Sequence, residues 1–108
     1  MAADELAVTA AALVAPGKGI LAADESSGTI KKRFDSIDVP STEDNRRAYR
    51  ELLFTTEGAA EHISGVILYD ETLRQSAADG TPLPELLAGQ GIIPGIKVDK
   101  GTTGLAGF

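Results

Sequence analysis

Cysteine is absent, tryptophan is absent, and histidine occurs once, at His62. Without cysteine there is no disulfide framework and no thiolate metal site. One imidazole cannot build a multi-histidine metal centre. These absences fit a reducing cytoplasm. Aromatic residues reach only 5% of the chain, leaving few platforms on which nucleobases could stack. Positive charge is scarce as well: ten Lys and Arg face sixteen Asp and Glu, a formal net charge of −6 and a pI near 4.6. A polyanion is repelled overall, which argues against nucleic acid as a partner. A small phosphorylated molecule stays possible because it responds to the local field. No apolar run approaches the roughly 20 residues a bilayer span needs. Asp4 and Glu5 stand where a secretory leader would carry basic charge, so the expectation is a soluble, unexported, cytoplasmic chain.

What is present is the balance of an ordinary folded protein, 43% apolar and 24% charged. A length of 108 residues suits one small domain. Leu6, Ala10, Leu13 and Val14 recur at helical spacing, predicting a helix over 4–15 with Asp4 as its cap and Pro16-Gly17 as its stop. Gly19 to Asp24 reads as a short strand buried on both faces. Ser26 to Thr29 opens a helical segment through Ile37, broken at Pro40. Ser41 to Thr55 is the clearest helix, with Ser41-x-x-Asp44 as its start signal and a stripe of Ala48, Leu52 and Phe54. A second buried strand runs from Ile63 to Tyr69. Asp79-Gly80-Thr81-Pro82 has turn chemistry, and Pro84 to Gln90 reads as a short helix. A third strand, Ile92 to Val98, leads into a loop of small residues from Gly101 to Gly107.

Strands alternating with helices imply a parallel sheet. Asp24, the pair Asp70-Glu71, and Lys97 with Asp99 stand at the downstream ends of these strands. In a β/α barrel that end carries the active site. Each charge taken singly reads better as an ordinary strand-end group in water. Lys97 is less ordinary, because alternation puts it on one face with Ile93, Gly95 and Asp99. It must be buried or point into a cavity. Eight strands take about 250 residues, and three leave open edges, so the expectation is an incomplete barrel.

Gly17-x-Gly19-x-x-Ala22 superficially matches a dinucleotide fingerprint but precedes its strand instead of following it. No Walker-type loop is present, and His62 alone assembles no serine–histidine–acid set. Ser26, Ser27, Gly28 and Thr29 follow a strand and open a helix, where free N–H groups and hydroxyls suit an anion. Plain helix capping accounts for the same residues.

Four blocks shift that balance. The run from Ala15 to Arg33 (APGKGILAADESSGTIKKR), Glu43 to Thr55 (EDNRRAYRELLFT), Ile63 to Leu68 (ISGVIL) and Gly91 to Gly101 (GIIPGIKVDKG) resemble, in order, the class I fructose-bisphosphate aldolases. The resemblance implies a TIM (β/α)8 barrel, of which residues 1–108 supply the N-terminal helix and the first three β/α units as one incomplete domain. By position, Asp24 matches the aspartate that orients a Schiff-base intermediate and supports proton movement. Ser26 and Thr29 match hydroxyls that bind one substrate phosphate. Arg33 and Arg47 match arginines of substrate binding, and Lys97 matches the lysine that contacts substrate hydroxyl and phosphate oxygens. The family's Schiff-base lysine lies on a later strand, so the chain alone is expected to be inactive.

The implied reaction is retro-aldol cleavage of fructose 1,6-bisphosphate in glycolysis and gluconeogenesis. It needs no metal and no other cofactor, because the iminium replaces the cation. The implied assembly is a homotetramer. Near the end Gly104 stands where the family commonly has proline, and Phe108 where a small or polar residue is usual. Two other readings stand beside the enzyme: a non-catalytic relic that binds sugar phosphates or docks onto intact aldolase, and a different Schiff-base barrel acting on another phosphorylated ketose.

Overall fold

The computed structural model describes residues 2–107; Met1 and Phe108, including the departure noted at Phe108, lie outside the described residues. In chain order the elements are α1 (Ala3–Leu13), β1 (Gly19–Ala23), α2 (Ser27–Asp35), α3 (Glu43–Phe54), α4 (Ala59–His62), β2 (Ile63–Leu68), α5 (Asp70–Leu73), α6 (Leu83–Gly89) and β3 (Ile93–Ile96). The strands form one parallel sheet in the order β1-β2-β3. The Asp79 turn forms as its chemistry predicts: the Thr81 N–H donates to Asp79 Oδ1 at 2.9 Å, and Gly80 supplies a positive φ of 90°.

The register separates two faces. Ile20 pairs with Gly65 and Gly65 with Ile93, while Ala22 pairs with Ile67 and Ile67 with Gly95. These residues line one face. The opposite face carries Ala23, Val66 and Leu68, which join Phe54 of α3, Leu83 and Leu87 of α6, and Ile92 in the core. Fully burying a large apolar side chain contributes about 1.5–3 kcal/mol, so this layer holds the sheet to its helices. Among the described residues, α1 is the helix that approaches the first face. Its Leu13 lies over Gly65, where a Cβ would sit 2.5 Å from the leucine Cδ2 and 3.2 Å from the Ile93 carbonyl oxygen. The Ser64 hydroxyl ties the end of α1 down by donating to the Leu13 carbonyl at 2.5 Å.

Several sequence expectations change. The stretch at Gly19–Ala23 is a strand, but it is not buried on both faces: Ile20 is 48% exposed, because it faces the side that no helix layer covers. Asp4 does not cap α1; it sits in the first turn, and Ala2 occupies the cap without a side-chain bond. Leu6 and Val14 are exposed, since α1 touches the sheet mainly through Leu13. The cap of α3 is Thr42, whose hydroxyl accepts from the Asn45 N–H at 3.1 Å, and Ser41 lies one residue outside. Ala48 and Leu52 face solvent, and the buried stripe of α3 runs through Arg50 and Phe54. The one-turn helices α4 and α5 stand directly before and after β2, where none was predicted. The third strand is shorter than 92–98, although the Lys97 N–H still donates to the Leu68 carbonyl at 2.9 Å.

Candidate active site

Each strand delivers one polar side chain at its downstream end on the sparsely covered face. Alternation carries Ile20 and Ala22 to Asp24, Gly65 and Ile67 to Tyr69, and Ile93 and Gly95 to Lys97. Asp24 and Lys97 belong to the exits of strands separated by β2, so only a long side chain joins them. The Lys97 Nζ lies 3.4 Å from Asp24 Oδ2 and 3.4 Å from Asp99 Oδ1. The Lys97 and Asp24 side chains are 26% and 23% exposed, sheltered yet reachable. Asp99, then Asp24, hold the Lys97 ammonium above its ordinary pKa. Asp99 is itself held below the usual carboxylate range, chiefly by the Gly101 N–H, which donates to Oδ1 at 2.9 Å, and then by Lys97.

Beside this pair, Ser26 caps α2. Its Oγ accepts from the Thr29 N–H at 3.4 Å and lies 3.2 Å from Thr29 Oγ1. Capping is therefore real at Ser26, and it also gathers two hydroxyls and the free N–H groups of a helix start. Asp24, Ser26, Thr29, Tyr69, Lys97 and Asp99 all border one cavity of about 520 Å³. Such a space admits a small ligand. Its lining offers a cation, hydroxyls and carboxylates, a set suited to a hydroxylated anion. Among the described residues, no group of three or more His, Asp and Glu side chains is placed to hold a metal ion.

The two predicted arginines are placed differently. Arg33 is 57% exposed and reaches back to the Glu25 carboxylate, next to the cavity wall. Arg47 is not brought to the rim. It pairs with Glu51 at 2.5 Å and Asp44 at 3.3 Å, bordering a separate groove of about 650 Å³ with Thr42, Gln75 and Ser76. That groove is the larger, but its arginines, Arg47 and Arg74, are already occupied by carboxylates. Sequence reasoning missed Glu25, Tyr69 and the buried Arg50. Tyr69 already ends the strand read from the sequence, and the alternation applied to Lys97 would have put it on the same face as Gly65 and Ile67. Arg46 was also passed over. It grips Glu71 of α5 through Nε at 2.7 Å and Nη2 at 2.8 Å, holding that carboxyl below its ordinary range.

A parallel sheet with its helix layer on one face, and strand ends converging on a polar cavity, is a segment of a β/α barrel. Residues 5–108 match the family model described as "Glycolytic: Fructose-bisphosphate aldolase class-I". The chain belongs to the class I fructose-bisphosphate aldolase family. It is 59% identical over 108 residues to the probable fructose-bisphosphate aldolase class 1 of Xanthomonas campestris, covering all of this chain and 32% of that protein. It is 63% identical over 105 residues to the cytosolic fructose-bisphosphate aldolase 6 of Arabidopsis thaliana, covering 97% of this chain and 29% of the relative. A ternary co-crystal structure of the Plasmodium falciparum fructose-bisphosphate aldolase with TRAP and a small-molecule inhibitor superposes with a TM-score of 0.94 at 54% identity. All of this chain and 32% of that one are covered. The chain thus spans about a third of the length of the relatives it matches.

Proposed function

We propose that residues 1–108 form the N-terminal helix and first three β/α units of one barrel domain that cleaves fructose 1,6-bisphosphate reversibly into glycerone phosphate and glyceraldehyde 3-phosphate. The observation that carries this reading is the Asp24–Lys97 pair, drawn from two strand exits into the cavity that the Ser26 and Thr29 hydroxyls border. Retro-aldol cleavage needs an amine to form an iminium and acid–base groups to move protons. In this assignment Asp24 orients the intermediate and handles a proton. Ser26 and Thr29, with Arg33 nearby, anchor one phosphate, and Lys97 donates to substrate oxygens. Arg47, paired with Asp44 and Glu51 on α3 outside this cavity, is assigned to substrate by the resemblance alone. Lys97 is engaged by Asp24 and Asp99, and the resemblance gives it substrate oxygens to contact and not the iminium. The family resemblance implies an iminium-forming amine on a later strand of the barrel and neither metal nor other cofactor.

The cytosolic names of plant relatives support a cytoplasmic setting. Among the described residues no helix is long and apolar enough to cross a membrane. Assembly as a homotetramer follows from the family reading alone.

The test uses a full-length chain in which residues 1–108 are followed by the remaining two thirds of the Xanthomonas campestris relative. Lys97→Met is expected to raise KM for fructose 1,6-bisphosphate roughly ten- to a hundredfold. A charge-assisted contact to an anion is worth about 1.5–3 kcal/mol, and one pKa unit, or a factor of ten, corresponds to about 1.4 kcal/mol. Unchanged kinetics would reduce Lys97 to a strand-end charge and remove this reading.

A further inference from the structure

Arg50 is the largest fully buried side chain among the described residues, 1% exposed, on a helix whose other arginines reach solvent. Its Nη1 donates to Thr72 Oγ1 at 2.7 Å and its Nη2 to the Glu25 main-chain carbonyl at 2.8 Å. The same Nη2 lies 3.6 Å from Glu25 Oε1, while Glu25 Oε2 holds Arg33. Thr72 belongs to α5, the turn that leaves β2, and Glu25 is the residue between Asp24 and Ser26. One planar guanidinium thus ties together the exits of two neighbouring strands.

From this geometry we infer that Arg50 is a positioning residue, fixing the Asp24–Glu25–Ser26 turn and through it the carboxylate and hydroxyls of the rim cavity. This inference rests on the proposed function for its consequence in catalysis, though not for the bridge itself. Two observations separate it from ordinary structural glue. Every hydrogen bond of the guanidinium goes to a segment just past a strand end, where the cavity is built. The bridge is also imperfect as a stabilising device: Arg50 Nε and Glu25 Oε1 are buried without a hydrogen-bond partner. Apolar replacement of a buried ion pair is often neutral or stabilising, so stability alone is a weak reason to place a guanidinium here. Directionality is a better one. A fork of fixed N–H vectors sets the distance and angle between two acceptors, which a lysine ammonium cannot do. Glu25, held from behind by Arg50, in turn draws the exposed Arg33 toward the start of α2.

The experiment uses the same full-length chain with Arg50→Lys, Thr72→Val and Thr72→Ser, each assayed well below its own melting temperature. Arg50→Lys is expected to lower kcat roughly 10- to 100-fold, the scale of a misplacement near 1 Å at a reacting group. Hydrogen exchange followed by mass spectrometry is expected to speed up in peptides spanning 20–29, with α6 (Leu83–Gly89) unchanged. Thr72→Val nearly keeps the shape of a fully buried residue and removes the hydroxyl that accepts from Arg50. It should move both readouts the same way, by about threefold to tenfold, and Thr72→Ser should restore them. If Arg50→Lys does not fold, the two Thr72 variants decide. Normal kcat with unchanged exchange in 20–29, or faster exchange spread equally over the chain, overturns the inference. An unsubstituted chain without aldolase activity overturns the proposed function instead, and the exchange pattern still decides the role of Arg50.

Discussion

Residues 1–108 purified alone are expected to cleave no fructose 1,6-bisphosphate above the assay blank and to show no sharp melting transition. Joined to the remaining two thirds of the Xanthomonas campestris relative, they are expected to turn over at about 1–10³ s⁻¹, the ordinary range for enzymes. The physical reason is the sparsely covered sheet face. The radius of gyration is 15.7 Å, against about 13 Å for a compact chain of this size. Ile20 on that face is 48% exposed. Among the described residues β1 and β3 each pair on one side only, leaving two open edges of the kind that recruit other chains. Coupled detection of triose phosphate, circular dichroism during heating and sedimentation read this directly. Robust turnover, or a cooperative melt of a monomer, from residues 1–108 alone would sink the partial-barrel account.

The second large effect is expected at Asp24. In the full-length chain Asp24→Asn should lower kcat by about 10²–10⁴-fold, the scale of lost general acid–base assistance. Its melting temperature should barely move. Asparagine keeps the shape, and what is lost is one partly exposed ion pair at 3.4 Å, of a kind worth about 0–1 kcal/mol. A competing reading makes Asp24 a cap for the helix that begins near Ser26. Ser26 itself fills that cap through its own hydroxyl, and Asp24 turns to Lys97 instead. A stable Asp24→Asn enzyme with near-normal kcat would leave Asp24 without a chemical role.

The order and type of the long elements were legible because each carries a local signal. Apolar runs marked β1, β2 and β3, and proline and glycine marked the ends between them. What escaped was set by contacts distant in sequence. The two four-residue helices around β2 are too short to show a period. The stripe of α3 reads from its apolar residues as Ala48, Leu52 and Phe54; Phe54 is buried, but the other inward positions hold Arg50 and Leu53. Arg50 and Phe54 are four residues apart and share a face, but an arginine among polar neighbours reads as solvated unless its partners are known. Those partners, Glu25 and Thr72, are 25 and 22 residues away. The rim was partly legible. Alternation placed Asp24 and Lys97 on comparable faces, while only the register through β2 brought their charged ends together. Arg47 shows the converse: a motif position can match a family and still lie, among the residues described, outside the cavity.

The strand order has a consequence for synthesis. Because spatial neighbours in the sheet are also successive in the chain, each β/α unit leaving the ribosome can dock on the one made just before it, without waiting for distant sequence. The cavity at the strand ends is therefore framed early, once Lys97 has emerged to meet Asp24. In any longer chain of this family, the apolar face below it would stay wet until later strands arrived. That interval, long on the timescale of collapse, would leave the nascent chain open to wrong contacts.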